Sequence, residues 1–122
     1  MKKSTVAITA AVIIIIAVFF FTRNSEVEAG KYDDFAKCIT ENGAIFYGSF
    51  QCVHCTTQKN MFGNSMRYVK YVECGPLGGP QTLACQQAGI TGYPSWIIGN
   101  IKYEGVQQFN KLAELTGCQL PQ

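Results

Sequence analysis

A β-prone segment, Ala-Ile-Phe-Tyr-Gly-Ser-Phe at residues 44–50, leads almost directly into the motif Cys52-Val53-His54-Cys55. Short runs of apolar and aromatic residues of this kind are typical of a central strand. The residues after the motif, through Met61 and Phe62 to Gly63, suit a helix. The chain is therefore predicted to pass at once from a buried strand into a helix, with two cysteines one turn apart at the junction.

This placement gives the two cysteines different chemical roles. The backbone N–H groups and the dipole at a helix N-terminus stabilise a thiolate, and the thiolate is the nucleophile in thiol-disulfide exchange. Cys52 is therefore predicted to be the nucleophile, and Cys55 the cysteine that attacks a mixed disulfide formed at Cys52. His54 lies between them, where an imidazole could stabilise the thiolate further.

The same motif has other interpretations. A zinc site would need two more ligands, but the chain has no second Cys-x-x-Cys pair and no histidine besides His54. We therefore expect no metal or other cofactor. A copper- or zinc-binding module built on Cys52, His54 and Cys55 remains an alternative, since soft thiolates suit Cu(I). An inert disulfide, or an anchored domain that only binds a partner protein, would require unreactive cysteines.

The N-terminal segment differs in kind from the rest of the 122 residues. From Thr5 to Thr22 it carries no charge, and a stretch of this length can cross a hydrocarbon core. Lys2 and Lys3 precede it and Arg23 follows, which modestly favours a cytoplasmic N-terminus. We expect residues 1–23 to be a membrane anchor and 24–31 a tether. A signal peptide cleaved near residues 27–29 is the alternative.

The remaining residues, 32–122, have the length of one small domain. Six cysteines in such a domain indicate an oxidising compartment, so an extracytoplasmic position at the cell membrane is expected. The net charge of +2 comes from Lys2 and Lys3, and the rest of the charges are mixed in sign. Nothing in this pattern suggests a nucleic-acid surface.

The rest of the domain is predicted to alternate helices and strands in the order α, β, α, β, α, β, β, α. The predicted elements besides those at the motif are a helix over 32–42, a strand over 68–73, a helix over 81–88, a hairpin over 95–104 and a helix over 107–115. Gly99-Asn100 can form the two-residue turn of that hairpin. This order predicts an α/β fold with a mixed sheet of about four strands flanked by helices.

From about Phe35 to Cys118 the chain resembles the thioredoxin superfamily, and most closely the thioredoxin-like domains that accompany bacterial homologues of vitamin K epoxide reductase. The residues that carry the resemblance are Phe-Ala-Lys-Cys-Ile-Thr-Glu-Asn-Gly-Ala from residue 35, Phe-Tyr-Gly-Ser-Phe-Gln-Cys-Val-His-Cys from residue 46, Tyr-Val-Glu-Cys from residue 71 and Ala-Gly-Ile-Thr-Gly-Tyr-Pro-Ser-Trp from residue 88. Together they cover nearly the whole predicted domain.

The resemblance implies a thioredoxin fold in which Pro94 carries a cis peptide bond and lies beside Cys52 and Cys55. Tyr93, which adjoins Pro94, is then expected to contact the substrate. Such relatives pass electrons between secreted proteins and a quinone-linked membrane oxidase. The implied partners are therefore secreted or periplasmic protein thiols and a vitamin K epoxide reductase-like oxidase, which we expect to be a separate protein.

Three positions depart from the thioredoxin pattern. Gln51 stands where many thioredoxins have Trp, and Val53 where many have Pro or Gly, so the redox potential cannot be transferred from them. Phe46 occupies the place of a buried Asp that manages the proton of the resolving cysteine. The absence of that Asp argues against a fast thioredoxin-like reductase. An extracytoplasmic reductase or isomerase remains the alternative to a disulfide donor.

Four cysteines lie outside the motif. Cys74 and Cys85 flank a loop rich in Gly and Pro and occupy positions included in the resemblance, so we expect a structural disulfide; a second redox pair is the alternative. A bridge there would contribute about 3 kcal/mol in the chain-entropy model. Cys38 and Cys118 would then join the two ends of the domain, but six cysteines allow 15 pairings, and a free or intermolecular thiol stays open.

Overall fold

The structure is a computed structural model that describes residues 2–22 and 28–122. Its helices are α1 Lys2–Thr22, α2 Asp33–Glu41, α3 Val53–Phe62, α4 Leu83–Gln87 and α5 Phe109–Thr116, with a 3-10 helix at Gly63–Tyr68. Its strands are β1 Ile45–Gly48, β2 Tyr71–Glu73, β3 Ser95–Ile98 and β4 Ile101–Glu104.

Helix α1 is apolar on all sides, because Ile, Val, Ala and Phe dominate its sequence. The stretch Lys2–Phe21 is apolar and long enough to cross a membrane, as a signal sequence can also be. Residues 24–27 of the predicted tether lie outside the described residues. The domain boundaries at 23, 31 and 32 therefore remain predictions.

The four strands form one mixed sheet in the order β2-β1-β3-β4. Strand β1 pairs in parallel with β2 and antiparallel with β3, and β3 pairs antiparallel with β4. The β3–β4 hairpin turns at Gly99 and Asn100, whose φ angles of 58° and 64° are those that such a tight two-residue turn requires. Strand β1, which leads to the cysteine motif, is thus held between two neighbours.

Aromatic rings fill the space between β1, β3 and the helices. Phe46 is fully buried and stacks on Trp96 with ring centroids 5.0 Å apart. The buried Gln58 of α3 accepts a hydrogen bond from Trp96 Nε1 at 3.1 Å and one from the Gln107 backbone N–H at 2.7 Å. Buried polar groups are stable where they are paired in this way, so Gln58 fastens α3 to β3 and to the segment before α5.

Two disulfides cross-link the domain. Cys38 of α2 pairs with Cys118, which follows α5, and their Cα atoms are 5.9 Å apart. Cys74, which follows β2, pairs with Cys85 of α4 at a Cα distance of 5.6 Å. These are the pairings that the sequence analysis favoured, and both separations suit a disulfide.

The predicted α/β fold, a mixed sheet of four strands flanked by helices after an apolar N-terminal helix, is confirmed. The strand predicted over 68–73 is wrong in its first half, since the unpredicted 3-10 helix ends at Tyr68 and β2 begins only at Tyr71. Thr40 of α2 explains the difference. Its Oγ1 donates to the Tyr68 carbonyl at 2.8 Å and accepts from the Lys70 N–H at 3.2 Å, so these backbone groups bind a helix side chain.

Candidate functional site

Cys52 occupies the N-cap position of α3, immediately before Val53. Its sulfur accepts a hydrogen bond from the backbone N–H of Cys55, with an N–Sγ distance of 3.1 Å. The contact uses one of the N–H groups that the first turn of a helix leaves unpaired, and a charged acceptor strengthens such a bond. The helix start therefore stabilises negative charge on the Cys52 sulfur.

The turn before α3 fixes this geometry. Ser49, which follows β1, accepts the Cys52 N–H through its carbonyl at 3.1 Å and the Gln51 N–H through its hydroxyl at 3.2 Å. Gln51 in turn accepts the Leu77 N–H at 2.9 Å, which ties the Gly/Pro-rich loop to the motif. Gln51 thus has a defined structural role.

Cys52 and Cys55 are the two free cysteines among residues 2–22 and 28–122. Cys52 is 6 % exposed and Cys55 only 1 %. Burial raises the pKa of the Cys55 thiol to about 12, and its hydrogen bond with Cys52 acts in the same direction. This difference in environment fits an outer nucleophile and an inner resolving thiol.

His54 lies on the first turn of α3 with an exposed side chain. Within the described part of the chain it makes no hydrogen bond to either cysteine sulfur. The structure therefore offers no contact through which His54 acts on Cys52, and its predicted catalytic role remains a prediction.

Pro94 lies at the same end of the sheet as the motif. The Tyr93–Pro94 peptide bond is cis, as the resemblance implies. Tyr47 of β1 pairs with Ser95 of β3. The next residues toward the motif are Gly48, which follows Tyr47, and Pro94, which precedes Ser95. The Tyr93 hydroxyl accepts a hydrogen bond from Gln81 Nε2 at 2.7 Å, and a contact of Tyr93 with substrate remains a prediction.

Three large apolar side chains are exposed near Cys52. Phe50, Val53 and Leu77 are 64 %, 76 % and 51 % exposed, although all three are large hydrophobic residues. Exposed apolar side chains that cluster beside a reactive group are typical of a binding surface. The sequence alone did not single out this surface, because aromatic residues next to strands are usually part of the core.

Tyr71 and Glu73 of β2 are site residues that sequence reasoning missed. The Tyr71 hydroxyl donates a hydrogen bond to the Glu73 carboxylate. That carboxylate also accepts the backbone N–H of Phe50 at 2.8 Å and of Gly75 at 3.2 Å. Burial alone would raise the pKa of Glu73, but these hydrogen bonds outweigh it, so the pKa lies below its usual range and the group is charged at neutral pH.

No group of three or more His, Cys, Asp or Glu side chains that could hold a metal ion occurs within residues 2–22 and 28–122. The alternative of a copper or zinc module built on Cys52, His54 and Cys55 therefore finds no support among these residues.

No family model matches the chain. The chain is similar to the thiol-disulfide oxidoreductase LTO1 of Arabidopsis thaliana, with 44% identity over 92 residues. The match covers 71% of this chain and 24% of the relative, so the chain spans about a quarter of the length of the plant protein. The likeness thus covers most of this chain but only one part of its relative.

Proposed function

We propose that this chain is an extracytoplasmic, membrane-anchored thiol-disulfide oxidoreductase that donates the Cys52–Cys55 disulfide to reduced secreted proteins. The observation that carries the proposal is the placement of Cys52 at the N-cap of α3, with its sulfur hydrogen-bonded by the Cys55 N–H and Cys55 buried behind it. The similarity to a plant thiol-disulfide oxidoreductase supports the reaction class.

The reaction consists of two exchanges. A substrate thiolate attacks the Cys52 sulfur, the Cys52–Cys55 bond breaks, and Cys55 leaves with the bonding electron pair. A second substrate thiolate then attacks the substrate sulfur of the mixed disulfide, so that Cys52 leaves as a thiolate and the substrate gains a disulfide. Two electrons pass from the substrate dithiol to the cysteine pair.

The hydrogen bond to the Cys52 sulfur supports the proposed direction of transfer. A contact that lowers the free energy of the Cys52 thiolate favours the reduced form of the pair, and this makes its disulfide a stronger oxidant. The apolar surface of Phe50, Val53 and Leu77 suits unfolded polypeptides, which expose apolar side chains. Reduced, incompletely folded secreted proteins are therefore the proposed substrates.

The donor must be reoxidised after each cycle. We propose a vitamin K epoxide reductase-like membrane oxidase as the acceptor of the electrons, on the basis of the family resemblance. The apolar helix α1 supports an anchor that would keep the domain beside such an oxidase.

A disulfide-transfer assay tests the proposal. The oxidised wild-type chain should form disulfides in a reduced, unfolded protein, and Cys52→Ser should abolish this transfer because the attacked sulfur is gone. Cys55→Ser should abolish the transfer as well, because without Cys55 the Cys52 sulfur forms no intramolecular disulfide that the substrate thiolate could attack. Cys52→Ser with wild-type transfer would refute the assignment. Acid trapping of the thiols in cells separates donor from reductase, since a donor is mostly oxidised and a reductase mostly reduced.

A further inference from the structure

Release of Cys55 from a disulfide poses a proton problem. The side chain is almost completely buried, so water has little access to the sulfur. Burial also makes the thiolate a poor leaving group unless a proton reaches it. The residue that would supply an acid in the thioredoxin pattern is Phe46 here, and its ring is locked in the core.

Gly48 of β1 allows another group to approach the Cys55 sulfur. A Cβ atom placed on Gly48 would lie 3.1 Å from Cys55 Sγ and 3.3 Å from the Tyr71 hydroxyl oxygen. Both atoms therefore approach the same point beside the Gly48 Cα, which they can do because this residue has no side chain. Tyr71 is brought there by the parallel pairing of β1 with β2, in which Phe46 is its partner.

The Tyr71 hydroxyl donates a hydrogen bond to the Glu73 carboxylate. Residues two apart on a strand share one face, so the two side chains lie together. Glu73 is only half-buried and is held in place by the N–H groups of Phe50 and Gly75. Its carboxylate therefore offers the half-buried Tyr71 a hydrogen-bonded link toward solvent.

From this arrangement we propose that Tyr71 and Glu73 form a proton path between Cys55 and solvent. When the Cys52–Cys55 bond breaks, Tyr71 gives its hydroxyl proton to the Cys55 thiolate and regains one from solvent through Glu73. When Cys55 attacks a mixed disulfide, the proton of its thiol leaves along the same path. The path carries only the proton, and the sulfur atoms carry the electron pairs. Tyr71 acts on the reacting sulfur, and Glu73 is the positioning residue behind it.

The charged and titratable groups around the path belong to α3 and β2. Cys52 and Cys55 act on the Tyr71 hydroxyl from α3. The Lys59 ammonium lies 3.9 Å from the centre of the Tyr71 ring. Its charge helps to lower the pKa of Glu73 and opposes, without outweighing, the rise that burial causes in the pKa of Cys55. A positive charge here stabilises the carboxylate that the path requires.

This inference rests on the proposed roles of Cys52 and Cys55, and one kinetic trace separates the two claims. The reduced full-length chain is mixed with a symmetrical aromatic disulfide that releases a coloured thiolate. Attack by Cys52 releases the first equivalent of colour, and attack by Cys55 on the mixed disulfide releases the second. The two phases report the two cysteines in the same sample.

We expect Tyr71→Phe and Glu73→Gln to slow the second phase about tenfold or more at neutral pH while the first phase keeps its wild-type rate. The slowing of the second phase in these variants should become smaller as the pH rises toward about 10, because hydroxide then removes the Cys55 proton directly. Gln can still accept the N–H groups that hold residue 73, and Phe retains the ring. Glu114→Gln, on the exposed face of α5, is the charge-matched control and should leave both phases unchanged.

A wild-type second phase in Tyr71→Phe across this pH range would overturn the path, even if Glu73→Gln failed to fold. Equal slowing of both phases would also overturn it, since that result indicates a structural role. Absence of the first phase in the wild-type chain would instead contradict the proposed role of Cys52.

Discussion

Gly48 is the residue on which the geometry of the site depends most closely. A Cβ at this position would lie 3.0 Å from Tyr71 Cε2 and 3.1 Å from Cys55 Sγ, so tight that both side chains would have to shift to accommodate it. We expect Gly48→Ala to lower the free energy of unfolding by about 1–3 kcal/mol through overpacking, as measured by urea unfolding.

The matched control is Gly92→Ala, where an added Cβ would meet atoms no closer than 3.8 Å. That substitution should change the stability by about 0.5 kcal/mol or less. A Gly48→Ala variant as stable as Gly92→Ala would show that β1, β2 and α3 are packed less closely than the structure indicates.

The two free cysteines should differ sharply in reactivity toward alkylating agents. The pKa of Cys55 is raised to about 12, mainly by burial, so its unreactive thiol form persists through neutral and mildly alkaline pH. In the reduced chain, iodoacetamide at about pH 8 should modify Cys52 and leave Cys55 unmodified, as read by mass spectrometry. In urea both should react alike. Preferential modification of Cys55 would reverse the assigned roles.

At the residue scale, sequence reasoning found Cys52, Cys55 and Pro94 because motif spacing and resemblance point to them directly. It missed Tyr71 and Glu73, whose importance depends on the parallel pairing of β2 with β1. Their spacing of two residues was visible and predicts a shared face of a strand. Which strand that face meets is a tertiary fact that a single sequence does not contain.

At the scale of elements, each disulfide should raise the free energy of unfolding by an amount that depends on the length of the loop it closes. Cys38–Cys118 spans 80 residues and Cys74–Cys85 spans 11. The chain-entropy model gives about 4.5 kcal/mol for the first bridge and about 3 kcal/mol for the second. Urea unfolding of the two double Cys→Ala variants should therefore show the larger loss for Cys38 and Cys118.

The same variants address the alternative of a second redox pair. Cys74 and Cys85 are both fully buried, so a substrate thiolate has no access to their bond. We expect the Cys74→Ala, Cys85→Ala variant to keep disulfide transfer at temperatures where it remains folded. Loss of transfer in the folded variant would make this bridge part of the electron path.

Elements with strong local signals were predicted well. The hairpin over 95–104 follows from its Gly-Asn turn, and α3 follows from the residues after the motif. Residues 68–73 were predicted less well, because their alternating pattern is that of a strand while Thr40, about 30 positions earlier, binds the backbone of Tyr68 and Lys70. A contact so distant along the chain overrides the local preference.

At the scale of the whole molecule, an apolar helix able to cross a membrane precedes a small α/β domain with two disulfide cross-links. This organisation supports work in an oxidising compartment, where such cross-links persist. Composition and cysteine number predicted both features. The direction of electron flow was beyond sequence reasoning, because it depends on the free-energy difference between the dithiol and disulfide forms of one pair.

The reduction potential of that pair is the most direct test of the account. The full-length chain in detergent is equilibrated with glutathione buffers, and the redox state of Cys52 and Cys55 is read by alkylation and mass spectrometry. A disulfide donor should have a potential near or above about −150 mV. A value near about −270 mV would make the pair a reductant and contradict the proposed direction of transfer.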